Sequence, residues 1–585
     1  MTSTSPATGE SPGGSASQIQ GVGVCPGLVI GTSLRMPPPV AEPADLARDE
    51  ALDVDAATAA LDSATRSVAD QLKGRAAEAS GDAKGVLEAT ALMATDSTLR
   101  KGAIKRLEKG KTPERAFFES AGEVIDMFAA LGGKMAERQR DVHDVRDRVI
   151  AQLQGLTPPG IPSHDTPFVL LADDLAPADT ATLDPQKVLA LVTAEGGPQS
   201  HTAIIARSLN LPAVVAATGV LDVEDGTEVF VNGAAGTLST EVTDADRESA
   251  ATYRERMAQI ATFDGDGRLS DGTSAPLLAN VGNGADARAA AEAGAQGIGL
   301  FRTEFLFFER TAEPAQEEQV AAYAEVFEAF SSAGSASAPA KVVLRTLDAG
   351  ADKPLPFLTD TDEPNPALGV RGYRTEVRTP GVLRRQLDAV AEAARGVADK
   401  PVEVWVMAPM IATAAEARDF RGLCEEAGLS AANAKIGVMI EIPAAALAAQ
   451  AITAEVDFVS IGTNDLTQYT MAADRQLGAL AELNDPWQPG VLHLIRATGS
   501  GSQGPVGVCG EAAADPLLAP VLLGLGVNTL SMSASALPRV AAVLRGVTAE
   551  QVEAAAQAAL SASSPAEARA AAVEQLPIVA ELGLG

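Results

Sequence analysis

Between residues 44 and 153 apolar positions recur three and four residues apart in long alanine-rich segments, interrupted near Ser80-Gly81, Gly110 and Gly132-Gly133. That period predicts four helices packed as one subdomain. On either side of it the pattern shortens. The run 21–32 reads as a strand with a turn at Pro26-Gly27, and 168–171, 188–192, 213–215 and 229–231 read as short strands, the last followed by the hairpin signal Asn232-Gly233. The stretch 241–262 is charged, helix-prone and poor in large apolar residues. A solvent-exposed linker helix is expected there, one that lets the parts it joins swing.

Beyond residue 263, eight apolar runs alternate with helical patterns: 277–281, 297–301, 342–346, 404–408, 436–440, 458–461, 506–509 and 529–532. Eight strand–helix units in roughly 300 residues predict a (β/α)₈ barrel. The expected fold is a multidomain α/β chain. It comprises a tail at 1–18, a compact α/β domain from 19–43 and 156–240, an inserted or attached helical subdomain at 44–155, a linker helix at 241–262 and the barrel at 263–585.

A barrel places its chemistry on the loops after the strand ends, and the polar residues at those positions form a coherent set. Strand two runs into Arg302-Thr303-Glu304. Strand three reaches Arg345 and continues through Asp348 to Lys353, and the insertion behind it carries Arg371. Strand five ends at Glu441, strand six at Gly462-Thr463-Asn464-Asp465 with Arg475 close behind, and strand seven at Cys509-Gly510-Glu511. Any single arginine could be a barrel-end salt bridge; the common face argues for a site. Arg302, Arg345, Arg371, Arg475 and Lys353 suit a small, densely anionic ligand, because forked guanidinium groups match phosphate and carboxylate oxygens. Glu441 and Asp465 offer two hard oxygens suited to Mg²⁺ completed by substrate and water. Cys509 is a proton donor or acceptor at this rim, or a buried inert thiol.

A second centre lies in Glu195-Gly196-Gly197-Pro198-Gln199-Ser200-His201-Thr202-Ala203-Ile204-Ile205-Ala206-Arg207, read as strand, tight turn and helix. With Ser200 as N-cap, His201 sits in the first helical turn, where free N–H groups and the positive end of the macrodipole gather. That environment keeps the ring neutral and nucleophilic and stabilises a phosphoryl group on it. A capping or packed histidine is the alternative.

Composition narrows the partners. A formal net charge of −32 argues against nucleic acid or an anionic membrane, and it means that an anion site must assemble its own positive charge. Cys25, Cys424 and Cys509 are far apart and suggest neither a disulfide framework nor metal spacing, which fits a reducing compartment. The Ser/Thr/Pro/Gly-rich start has neither a basic n-region nor an apolar h-region, and no apolar run approaches the roughly 18 residues that span a bilayer. A cytoplasmic protein with a disordered tail is expected.

From about Gly21 to near its C-terminus the chain resembles enzyme I of the bacterial phosphoenolpyruvate-dependent sugar phosphotransferase system. The resemblance rests on Gly196-Gly197 with Ser200-His201-Thr202-Ala203, on Gly299-Leu300-Phe301-Arg302-Thr303-Glu304-Phe305-Leu306, and on Arg345-Thr346-Leu347-Asp348. Ser460-Ile461-Gly462-Thr463-Asn464-Asp465-Leu466-Thr467-Gln468-Tyr469 and Gly507-Val508-Cys509-Gly510-Glu511 complete it. It implies a phosphorylated His201 whose Nε2 attacks phosphorus. Arg302, Arg345, Lys353, Arg371, Asn464 and Arg475 would grip phosphoenolpyruvate, Glu441 and Asp465 would bind Mg²⁺, and Cys509 would deliver a proton as pyruvate forms. It also implies transfer to a histidine of the carrier protein HPr, docked on the helical subdomain, and a homodimer joined through the barrels. The helical subdomain read alone is equally a plain scaffold.

Two positions depart from the family pattern: Gln199 stands where Thr is frequent, and Gly350-Ala351 replaces a glycine pair. Pyruvate phosphate dikinase and phosphoenolpyruvate synthase share these motifs, but need an ATP-binding domain. The residues before His201 read as helices without a P-loop. A non-catalytic regulator would have lost part of the set, and a simple barrel lyase or aldolase would leave His201 without a role.

Overall fold

The computed structural model describes residues 18–584 apart from 38–39, 50–52, 79–86, 88–89, 132–138, 158–159, 163, 176–182, 198–201, 204–205, 207–208, 210, 309, 333–338, 351–353, 360–362 and 476–477. The chain divides into two compact units, Met1–Thr252 and Tyr253–Gly585.

The first unit contains an eight-stranded mixed sheet. Its strands are β1 (Gln18–Gln20), β2 (Val22–Cys25), β3 (Leu28–Arg35), β4 (Phe168–Ala172), β5 (Val188–Thr193), β6 (Ala213–Val215), β7 (Glu228–Asn232) and β8 (Thr237–Ser239), in the order β1-β8-β7-β3-β4-β5-β6-β2. Central strand β4 is apolar throughout because both of its faces are covered. On β4, Val169 and Leu171 pack into one cluster while Phe168, Leu170 and Ala172 pack into another. Residues 21–32 turn at Pro26-Gly27 as expected, and the turn divides them into two separate strands. Gly27, at φ 150°, separates β2, which pairs with β6, from β3, which lies between β7 and β4. Gln18, assigned to the tail from sequence, pairs with Ser239.

Helices α1 (Val54–Glu78), α2 (Ser97–Leu107), α3 (Pro113–Leu131) and α4 (Gln139–Gln154) occupy the region of helical period. They bury one core containing Leu61, Leu72, Leu99, Phe117 and Val145. Asp96 caps α2 by accepting from the backbone of Thr98 and Leu99. The predicted break at Gly110 is present, with φ 84°. A break at Thr95-Asp96 was not anticipated. The expected breaks near 80 and 132 fall outside the described residues.

Helix α5 (Asp244–Gln259) occupies the predicted linker, and the division between the units falls within it. Arg247 at its start pairs with Glu228 of the first unit. Arg256 near its end donates to the Glu581 carbonyl of the second unit at 2.8 Å.

The second unit is a closed parallel barrel of β9 (Leu277–Val281), β10 (Gly297–Arg302), β11 (Ala340–Arg345), β12 (Val402–Ala408), β13 (Lys435–Ile440), β14 (Phe458–Ile461), β15 (Val506–Val508) and β16 (Thr529–Met532). β16 pairs with β9 from Leu530–Leu277 onward, which closes the ring. Alternate strand residues face out to a large core shared with the surrounding helices, and in to a lumen cluster that includes Leu300, Val343, Trp405, Met439, Phe458 and Cys509. Predicted strand seven overran by one residue, since Cys509 lies just past β15.

Candidate functional site

The rim after the C-terminal strand ends carries a buried network of opposite charges. Arg345, the last residue of β11, donates from Nη2 to Glu304 Oε1 at 2.9 Å, and its Nη1 lies 3.3 Å from Asp348 Oδ2. Glu304 Oε1 also accepts from the Asp348 backbone at 2.9 Å. Burial works to lower the Arg345 pKa, but Glu304 and Asp348 outweigh it and raise it. Arg371 is 2% exposed and reaches across the rim: Nη1 donates to Tyr469 Oη at 2.7 Å and lies 3.3 Å from Asp465 Oδ1, while Nη2 lies 3.4 Å from Asp348 Oδ1. Tyr469 in turn donates to the Ala367 carbonyl.

Around this pair the other rim residues are more open. Arg302 ends β10 half-buried, Arg475 is partly exposed with Nη1 3.7 Å from Asp465 Oδ2, and Asn464 Oδ1 accepts from the Glu511 backbone at 3.4 Å. Lys353 and His201 lie outside the described residues. Next to the latter, Thr202 Oγ1 donates to Asp174 Oδ1 at 2.8 Å.

Glu441 follows β13 and is fully buried. Its Oε1 accepts from the Met410 backbone at 2.6 Å, whereas its Oε2 is buried without a hydrogen-bond partner. Burial pushes the Glu441 carboxyl pKa up, reinforced by the charges of Asp465 and Asp348. Asp465 sits in the first turn of helix α6 (Thr463–Met471). Gly462, which precedes α6, makes room for the site, because a Cβ there would lie 2.7 Å from Glu441 Oε2. An unsatisfied buried carboxylate oxygen beside a second carboxylate fits a hard divalent cation. Among the described residues no group of three or more His, Cys, Asp or Glu side chains assembles for a metal, so such an ion would take its remaining oxygens from substrate and water.

Cys509 is 2% exposed. Burial pushes its thiol pKa up, against the opposing influence of the Ser460 hydroxyl and of the Arg345 and Arg302 charges. It is therefore held as a thiol, directed at the Ile461 carbonyl 3.6 Å away.

Sequence reasoning did not assign roles to Glu304, Asp348, Tyr469 or Met410. The first two lie inside the motifs that carry the arginines, and the Arg345–Asp348 spacing of three was a usable signal. Met410 had none: it is a non-glycine residue at φ 60°, the kind of strained backbone that accumulates at functional sites.

Three family models match consecutive parts of the chain: PEP-utilising enzyme, N-terminal, over residues 20–138; PEP-utilising enzyme, mobile domain, over 164–236; and PEP-utilising enzyme, PEP-binding domain, over 257–549. A phosphoenolpyruvate-protein phosphotransferase of Streptomyces coelicolor is 49% identical over 559 residues, covering 95% of this chain and 98% of the relative. The protein of that name from Haloferax volcanii is 39% identical over 84% of this chain and 87% of its own length. That from Geobacillus stearothermophilus is 37% identical over 91% and 94%. The chain belongs to the phosphoenolpyruvate-protein phosphotransferase family, enzymes of phosphoenolpyruvate-dependent phosphotransfer.

Proposed function

We propose that this enzyme moves the phosphoryl group of phosphoenolpyruvate first to its own His201 and then to a histidine of the carrier protein HPr. Pyruvate is released, and sugar uptake by the phosphotransferase system begins. The observation that carries the reading is the rim where Glu441 keeps an unpartnered buried oxygen beside Asp465 and the paired arginines Arg345 and Arg371. Phosphoryl transfer asks a protein mainly for positioning and charge stabilisation.

In this reading Arg302, Arg345, Arg371, Arg475, Lys353 and Asn464 grip the phosphate and carboxylate of the substrate. The acidic partners of the two buried arginines hold their forks in place before substrate arrives, so little ordering remains to be done on binding. Glu441 and Asp465 would hold Mg²⁺, which when bound screens phosphate charge and draws electrons from the bridging oxygen. His201 Nε2 forms the new bond to phosphorus as the bond to the enol oxygen breaks, which requires an approach of about 3–3.5 Å. The enolate carbon then takes the proton of the Cys509 thiol, which burial keeps protonated until it is needed.

The domain limits given by sequence are part of the proposal: an α/β phosphohistidine domain at 19–43 and 156–240, an HPr-docking subdomain at 44–155, a linker helix at 241–262, and a substrate-binding and dimerisation barrel at 263–585. Exposed Leu92 and Met127 on the helical subdomain support protein docking there. Exposed Phe305, Leu368, Val377 and Leu447 support a homodimer through the barrel. No described helix is long and apolar enough to cross a membrane, and a cytoplasmic location is part of the same reading. His201→Ala should abolish HPr phosphorylation while leaving phosphoenolpyruvate binding intact; persistent transfer would refute the assignment.

A further inference from the structure

The barrel lumen behind Cys509 contains a line of polar groups. A small cavity there offers about 10 Å³ to the centre of a water molecule, room for one, and is lined by Lys341, Ser460, Gly507, Thr529 and Ser531. Gly507 has no side chain where a Cβ would stand 3.6 Å from Ser460 Oγ and 3.0 Å from Thr529 Oγ1. A water in the adjoining cavity has both hydroxyls, with Lys341, in its lining. Ser460 pairs in register with Gly507, two residues before Cys509, so its hydroxyl and the Cys509 thiol belong to the same lumen face, and that hydroxyl acts against burial on the thiol pKa. Thr529 also lines an open groove of about 540 Å³ at the N-terminal ends of β9 and β16, with Pro276, Leu523, Asn528 and Val552. Hydroxyl groups thus lead from solvent at the barrel's N-terminal mouth to the thiol at its C-terminal rim.

Lys341 lines the same cavity. Its Nζ sits 3.8 Å from the centroid of Trp405 and 5.4 Å from that of Phe458, so aromatic faces support the ammonium. The carboxylate acting on it is Glu403, whose Oε2 already accepts from Trp405 Nε1 at 2.6 Å. Burial lowers the Lys341 pKa to about 8, with Glu403 opposing, so the group can both give and regain a proton near neutrality.

We propose that Lys341, Thr529 and Ser460 form a proton relay through the barrel lumen that refills the Cys509 thiol from the N-terminal mouth, opposite the substrate rim. The inference rests on the reading of Cys509 as proton donor. After the thiol has protonated the enolate carbon, the Ser460 hydroxyl passes its proton to the thiolate. The cavity water restores Ser460, the Lys341 ammonium restores the water, and solvent in the groove restores Lys341 by way of Thr529. One proton enters for each pyruvate formed, and no redox partner is involved. The charges bearing on the sulfur end are Arg345, Arg302 and Glu441.

The test compares first and later turnovers of pyruvate formation by rapid quench, using the full chain with phosphoenolpyruvate, Mg²⁺ and excess HPr. In Lys341→Met, Thr529→Val and Gly507→Ala, whose new methyl would stand between the Thr529 and Ser460 hydroxyls, the first pyruvate per site should form at the unaltered rate. Later turnovers should slow by about tenfold or more, leaving a burst of one per site. In the unaltered enzyme the later turnovers should fall as pH rises through about 8, and Lys341→Met should lack that limb. Cys509→Ala separates the two levels of the argument. If it slows turnover while the three lumen variants show neither burst nor altered pH profile, or slow first and later turnovers alike, the relay is overturned alone. If Cys509→Ala itself turns over normally, the donor reading falls and the relay with it.

Discussion

Arg371 donates from Nη1 to the Tyr469 hydroxyl at 2.7 Å, and that hydroxyl donates onward to the Ala367 carbonyl. The loop that supplies Arg371 is thereby tied to α6, the helix that supplies Asp465. Tyr469→Phe removes only the oxygen. Hydrogen bonds to charged groups contribute about 1.5–3 kcal/mol, so the KM for phosphoenolpyruvate should rise roughly tenfold or more with kcat changed much less. Steady-state kinetics with saturating HPr decide this, and an unchanged KM would refute the tie.

The Arg345–Glu304 pair is buried on both sides. Glu304→Gln leaves Arg345 with less compensation in a poorly solvated place, although Asp348 remains. Removing one partner of a buried pair costs on the order of 3 kcal/mol, so denaturant unfolding should show a loss of that order. A loss below about 0.5 kcal/mol, the size expected at the surface, would show that the pair is not desolvated.

Glu441 binds its proton more tightly than an ordinary carboxyl because it is buried and faces Asp465 and Asp348. A divalent ion must displace that proton, so Mg²⁺ affinity should increase from about pH 6 to about pH 8, with protons released on binding. Calorimetry in two buffers of different ionisation enthalpy measures both. Affinity independent of pH would contradict the assignment of Glu441.

Gly462→Ala places a methyl 2.7 Å from Glu441 Oε2, on the oxygen left for the ion. Displacing or tilting that carboxylate should weaken Mg²⁺ by roughly 10- to 100-fold, the scale seen when ligand orientation is disturbed. Titration of the variant under the same conditions checks it, and unaltered binding would place the ion elsewhere.

Much of this architecture is legible in the chain because barrel strands buried on both faces are continuous apolar runs. The segments 277–281, 458–461 and 529–532 coincide with β9, β14 and β16, and the other barrel strands end within one residue of expectation. β1 and β8 escaped notice because Gln18–Gln20 and Thr237–Ser239 are short and carry polar residues that pair only with each other and β7. At the rim, the charged positions could be read from their place after strand ends. Their pairing could not, since Arg371 meets Asp465 and Tyr469 across more than ninety residues of sequence. Nor could the buried state of Glu441 or the Met410 backbone N–H that donates to it.

The central claim is that His201 carries the phosphoryl group. Incubating the full chain with phosphoenolpyruvate labelled in its phosphate, together with Mg²⁺, and mapping the label after proteolysis tests this directly. The account predicts one acid-labile phosphate per chain on the peptide containing His201, formed without ATP, discharged by HPr and absent from His201→Ala. Label that resists acid, requires ATP or persists in His201→Ala would contradict it.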